Sequence, residues 1–120
     1  MSAEKLQNIA FKWIGAFNNH DLEQLMALYD DETEHYSPKL RIKNPETDGK
    51  LTGKNNLRIW WQEAFETLPS LQYKPVTFTA NSDRIFMEYI RIVESENDTL
   101  VAEVLVVKDG KIIESRVYLF

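Results

Sequence analysis

The sequence predicts an α+β domain in which three N-terminal helices cover one face of a curved, mostly antiparallel sheet. Three observations lead to it. Apolar residues recur at helical spacing up to Leu68; from Gln72 onward the chain reads as strands that are strongly apolar; and turn residues punctuate that second half at short intervals.

The first helix carries Leu6, Ile9, Ala10, Trp13, Ile14 and Phe17, one apolar stripe along a 3.6-residue period, and Asn18, Asn19 and His20 end it. Asp21 offers an N-cap oxygen with Gln24 three residues on, so a second short helix carries Leu22, Leu25, Met26 and Tyr29. A strand over Thr33 to Ser37 stops at Pro38, which lacks an N–H and fixes φ. Lys39, Arg41 and Lys43 then alternate with Leu40 and Ile42, the pattern of a charged, solvated edge strand. The polar run NPETDGKLTG reads as a mobile loop. In the third helix Leu57, Trp60, Trp61, Ala64, Phe65 and Leu68 repeat the spacing of the first, and Pro69 closes it. Four strands follow as a meander: Gln72 to Ala80, Arg84 to Glu94, Thr99 to Lys108, and, after the Asp109-Gly110 hairpin signal, Lys111 to Phe120.

No linker, repeat or low-complexity tract divides the 120 residues, which suit a single domain spanning residues 1–120 with a continuous core. With 43% hydrophobic and 28% charged residues the composition is globular. A net charge of -5, spread without acidic blocks, argues against a nucleic-acid partner, which needs a clustered positive face. The absence of cysteine removes disulfides, thiolate catalysis and thiolate metal sites. The start, MSAEKLQ, shows no apolar signal segment, and no apolar run approaches the roughly 20 residues of a membrane span. A cytosolic protein without a membrane partner is the expectation. In the strand LVAEVLVV, Ala102, Val104 and Val106 alternate with Val101, Leu105 and Val107, so both faces of the sheet are apolar. One face meets the helices, and pairing with a second copy would cover the other, which predicts a homodimer through the outer sheet face.

The order of elements, with WIGAFNNHDLEQLMALYDDETEHYSP, the helix GKNNLRIWWQEAFETLP and the hairpin VKDGKIIESRVY, resembles the nuclear transport factor 2-like superfamily, and within it SnoaL-like proteins, relatives of polyketide cyclases and ketosteroid isomerase. The resemblance covers nearly the whole chain. It implies a cone-shaped fold that hosts isomerases, cyclases, hydrolases, dehydratases and non-catalytic binders, so it specifies the scaffold better than the activity. Carried over position by position, the isomerase's general-base aspartate falls on Ser37 and its oxyanion-hole tyrosine on Trp13, and neither keeps the chemistry. The second oxyanion-hole acid, a carboxyl held neutral by an apolar site, falls on Glu103.

Period-2 geometry puts Thr33, His35 and Ser37 on one strand face, and the resemblance turns that face toward the cone interior. His35 is a candidate acid or base near neutral pH. Glu103, inside an otherwise apolar run, needs a partner or a raised pKa and is the second candidate catalytic group. Arg91 faces Glu103 if the intervening turn centres on Asn97; a two-residue turn at Asn97-Asp98 opposes Ile92 instead. Candidate ligand-binding residues are Trp13, Phe17, Ser37, Trp61, Tyr89, Arg91 and Ser115, with Trp60 as further aromatic wall. His20 and His35 have no second ligand at metal spacing, and Gly49 and Gly53 lack the strand-loop-helix setting of a phosphate loop, so no metal and no cofactor are expected. The expected function is small-molecule binding in the cone, with cofactor-independent acid–base chemistry of the isomerase, cyclase or dehydratase type. The alternative is a non-catalytic binding or dimeric interaction module whose pocket Trp13, Trp60 and Trp61 fill.

Overall fold

A computed structural model describes residues 2–119. Helix α1 (Ala3–Asn18) starts at Ser2, whose hydroxyl accepts the Lys5 amide, and buries Leu6, Ala10, Trp13, Ile14 and Phe17 along the stripe anticipated from spacing. Its end is fastened to the sheet by one side chain: Asn18 donates to the Tyr73 carbonyl at 2.8 Å and accepts the Tyr73 amide at 2.7 Å. His20 turns the chain in the left-handed region (φ 51°) and donates from Nε2 to the Leu71 carbonyl. Asp21 caps helix α2 (Leu22–Met26) through the Gln24 amide. The second helix is therefore shorter than expected, because Tyr29 already begins strand β1 (Tyr29–Tyr36).

The segment read as an edge strand at 39–43 is helix α3 (Pro38–Lys43). The Ser37 hydroxyl accepts the Lys39 amide, and Pro38 stands at the first helical position, where no N–H is needed and φ is already suitable. Pro38 ends the strand by starting a helix. The polar run after it is not a free loop either. It forms a 3₁₀ turn (Pro45–Thr47) and strand β2 (Lys50–Thr52), which pairs antiparallel with β1, Leu51 opposite His35. Between them Asp48 and Gly49 adopt positive φ, and the Gly49 carbonyl accepts the Ser37 amide. Helix α4 (Lys54–Thr67) then buries Leu57 and Trp61. Four α-helices thus stand where three were expected.

Strands β3 (Gln72–Asn81), β4 (Arg84–Ile92), β5 (Thr99–Lys108) and β6 (Lys111–Leu119) complete a six-stranded sheet of order β2-β1-β6-β5-β4-β3. Phe120, anticipated as the last strand residue, lies outside the described residues. All neighbours are antiparallel except β1 and β6. Asp109 (φ 52°) and Gly110 (φ 78°) make the tight β5–β6 turn their sequence announces. Register irregularities in β3 at Pro75/Thr77 and in β5–β6 at Val106/Val107 bend the sheet around the helices.

The β4–β5 register differs from both expected alternatives. Arg91 stands opposite Thr99, and Met87 opposite Glu103. The reason is Val93: it is buried, and its carbonyl accepts the Glu96 amide, so the chain turns over 93–96 rather than at Asn97. Arg91 and Glu103 share the inner face but are not cross-strand partners.

The core lies between α1, α2, α4 and the concave sheet face. Its centre is a stack of aromatic rings, Phe17 on Tyr73 at 3.9 Å, Tyr73 on Tyr89 at 4.1 Å and Trp13 on Phe17 at 5.3 Å. The convex face leaves Phe86, Leu100 and Tyr118 partly exposed. Among the described residues, no helix is long and apolar enough to cross a membrane.

Two phenylalanines of one helix test this packing. Phe17 is fully buried and Phe11 is 60% exposed. Phe17→Ala is expected to lower unfolding free energy by about 3–5 kcal/mol and Phe11→Ala by about 1 kcal/mol or less in urea titrations; equal losses would mean that α1 packs through another face.

Candidate functional site

The aromatic stack fills the closed end of the cone, and the helices do not reach far enough to fill the other. A cavity of about 310 Å³ remains between α3, α4 and the inner face of β4, β5 and β6. The volume falls in the range of small-molecule sites. Trp60, Trp61, Leu68, Leu71, Tyr73 and Val117 give it apolar walls, and His35, Ser37, Lys39, Lys43, Glu63 and Arg91 bring polar groups.

Of the residues singled out from sequence, His35, Ser37, Trp61, Tyr89 and Arg91 line this cavity, as does Trp60. Trp13, Phe17, Glu103 and Ser115 do not. Trp13 and Phe17 have no exposed surface, and the Trp13 indole N–H, on the position of the isomerase tyrosine, donates to the Tyr29 hydroxyl at 2.9 Å. They belong to the core because Tyr73 and Tyr89 stack between them and the sheet. Glu103 is sealed from the cavity, and Ser115 stands behind His35. Lys39 and Lys43, expected on a solvated edge, line the mouth instead. The signal was present: once SPKLRIK is read as an N-cap followed by a helix, the two lysines at i and i+4 fall on one face.

Strand β1 delivers His35 to the sheet interior, with Ser115 as its backbone neighbour across the parallel seam. The Nδ1 atom lies 2.6 Å from the Ser115 hydroxyl, whereas Nε2 has no hydrogen-bond partner among the described residues. The ring stands edge-on to Trp61. Burial pushes its pKa down from the ordinary 6.5 to about 4, so the imidazole is neutral at physiological pH. If Ser115 donates to Nδ1, Nε2 carries the proton; if Nδ1 carries it, Nε2 is a free base.

Glu103 accepts the Tyr89 hydroxyl on Oε1 at 2.9 Å, and its Oε2 is unpartnered among the described residues. Desolvation pushes its pKa up to about 8, against the smaller opposing effect of the tyrosine hydrogen bond. It therefore holds a proton at neutral pH. Burial first, and the nearby Glu103 second, raise the phenols of Tyr29, Tyr73 and Tyr89. Tyr89 is the one link in this group that touches both Glu103 and the cavity. At the mouth, Arg91 donates from Nη1 to Glu96 at 2.6 Å, which holds the Glu96 carboxyl below its ordinary range. Among the described residues no three His, Asp or Glu side chains converge as metal ligands.

A family model described as the SnoaL-like domain matches residues 10–115. The chain belongs to the SnoaL-like domain family. The superfamily resemblance seen in the sequence is thereby shown, and so is the α+β cone fold. No curated protein shows significant similarity to this SnoaL-like chain. Among solved structures, a SnoaL-like protein of unknown function from Burkholderia thailandensis E264 superposes with a TM-score of 0.88 at 25% identity, covering 100% of this chain and 98% of that one. A candidate ketosteroid isomerase from Kribbella flavida gives 0.80 at 18% identity, over 98% and 78% of the two chains. A candidate polyketide cyclase from Sinorhizobium meliloti gives 0.80 at 14% identity, over 98% and 100%. The last two likenesses concern the fold alone.

The buried carboxyl makes stability depend on pH with a definite sign. Because the folded pKa of Glu103 lies above the unfolded value, the folded protein keeps a proton that the unfolded chain releases, and stability is lost as pH rises from 4.5 to about 8. At about 1.4 kcal/mol per pKa unit the loss is on the order of a few kcal/mol. Glu103→Gln keeps an oxygen for Tyr89 and is expected to remove that slope, leaving the variant more stable than the parent at pH 8 in denaturant titrations; parallel pH profiles would show that the carboxyl is not sealed in.

Proposed function

We propose that this SnoaL-like domain binds a compact, largely apolar small molecule in the cavity and that His35 transfers a proton to or from it without a cofactor, in chemistry of the isomerase, cyclase or dehydratase type. The observation that carries the reading is the buried imidazole on the cavity wall, anchored at Nδ1 and without a partner at Nε2 among the described residues. An unsatisfied buried nitrogen is costly unless a ligand completes it. The fold is shared with proteins described as a candidate ketosteroid isomerase and a candidate polyketide cyclase, which supports the reaction class. A carbonyl compound with an acidic α-hydrogen fits the site: Nε2 would take the α-proton while the walls exclude water. Glu103 has no surface on the cavity, so its role runs through the Tyr89 hydroxyl, which it polarises.

That seclusion also favours a second reading, a non-catalytic binder, since among the described residues His35 is then the sole buried histidine or carboxyl group in contact with the cavity. Proton exchange separates the two. In D₂O, 2-tetralone is expected to exchange its α-hydrogens faster with the protein than without it, followed by proton NMR. His35→Gln is expected to lower that acceleration by about 10²–10⁴ with little change in melting temperature. Binding without accelerated exchange would leave the binder; equal loss of exchange and stability would make His35 structural.

We further propose a homodimer through the convex sheet face. The support is that Phe86 and Tyr118 stack at 6.1 Å and that Leu100 remains 38% exposed beside them, an apolar surface in need of cover. Light scattering at micromolar concentration is expected to give twice the chain mass, and Tyr118→Arg to halve it; a monomeric parent protein would remove the proposal.

A further inference from the structure

Among the described residues, the mouth of the cavity carries more positive charge than its own carboxylates neutralise. Arg91, only 8% exposed, is paired with Glu96, and Lys43 with Glu63 at 3.4 Å. Lys39, on the same helix face as Lys43, has no carboxylate within ion-pair distance among the described residues. Its ammonium is half-buried, and both the desolvation and the neighbouring Arg91 hold its pKa down. Among the described residues, a chain of net charge -5 has thus placed at the rim of an apolar hollow a cation that has no ion-pair partner of its own and shares the field of Glu96 with Arg91. Such an arrangement is unfavourable by itself and becomes favourable when an anion completes it.

The inner end presents a different chemistry. His35 Nε2 is buried and unpartnered among the described residues and its side chain lines the cavity, whereas the Trp61 indole N–H, on the same wall, faces the buried Tyr29 hydroxyl. A hydroxyl oxygen suits a neutral imidazole in either tautomer, since it can donate to Nε2 or accept from it. Between the two ends the walls are aromatic and aliphatic.

We infer that the ligand is an amphipathic monoanion, with a carboxylate held at the mouth by Lys39 and Arg91, a flat apolar body between Trp60 and Val117, and a hydroxyl oxygen at the inner end by His35. The inference rests on the reading that this cavity is the binding site. Among the described residues three cations at the mouth, Lys39, Lys43 and Arg91, meet two carboxylates, Glu63 and Glu96, so one surplus charge matches one carboxylate and a dianion would leave a charge unpaired. The carboxylate also fixes which end of the ligand meets His35, so the mouth sets orientation and the imidazole the chemistry.

The test uses three fluorescent probes, 6-hydroxy-2-naphthoate, its carboxamide and 2-naphthoate, titrated at neutral pH and low salt. The hydroxynaphthoate is expected to bind at least tenfold more tightly than the carboxamide, and more tightly than 2-naphthoate, which lacks the inner oxygen. Lys39→Gln, a change on a half-exposed side chain, is expected to abolish the preference for carboxylate over amide while the melting temperature stays put. Lys43→Gln, whose ammonium already has Glu63, is expected to keep most of it. Raising the salt concentration should narrow the preference. Equal affinity for carboxylate and amide would overturn the monoanion assignment and leave the cavity as a neutral-ligand site. No binding of any probe would overturn the assignment together with the reading of the cavity as the site.

Discussion

The parallel pairing of β1 with β6 is the constraint on which the site depends. It joins an early strand to the last one, and it sets His35 beside Ser115 so that the imidazole is held by a 2.6 Å hydrogen bond on a rigid sheet. Everything that frames the cavity on that side hangs from it. Strand β2 pairs with the outer edge of β1, α3 continues from its end through the Ser37 cap, and α4 packs across it. A ligand group placed by a strand held on both edges is positioned more firmly than one placed by a loop.

The second determinant is where the aromatic volume goes. Trp13, Phe17, Tyr73 and Tyr89 stack at the centre of the cone and satisfy the core there, with the Trp13 N–H bonded to Tyr29. Trp60 and Trp61, on α4, stay on the wall. The hollow lies between α3, α4 and the inner sheet face, and its polar groups are few and sorted: charged groups at the rim and an imidazole deep inside. Glu103 is a core group rather than a wall group, an uncharged acid whose hydroxyl neighbour Tyr89 reaches the cavity.

Much of this was legible in the chain. The stripes of α1 and α4 repeat one spacing, and the Asp109-Gly110 turn fixes the β5–β6 hairpin because both residues tolerate positive φ. Alternation put His35 and Ser37 on one strand face, and the family resemblance turned that face inward. What was not legible has physical causes. Pro38 both stops a strand and starts a helix, and alternation of Leu40 and Ile42 fits either until the Ser37 cap is considered. The register of β4 on β5 hinges on burial of Val93, a tertiary fact, so neither of the two registers the sequence left open, Arg91 or Ile92 opposite Glu103, is the one formed, and Arg91 pairs with Glu96. Strand β2 forms only because β1 offers an edge, and no three-residue stretch announces that by itself. Whether an aromatic on α1 is wall or core depends on what stacks on it, which periodicity does not specify.

The central claim is that the cone keeps a hollow whose wall holds a desolvated, uncharged imidazole. Histidine-labelled protein followed by nitrogen-15 NMR across pH 3 to 8, with the His35 ring assigned, measures this directly. The His35 ring is expected to stay neutral until the pH falls to about 4, with Nδ1 shifted by its bond to Ser115. A ring that titrates near the ordinary 6.5 with two equivalent nitrogens would place it in bulk water and contradict the site.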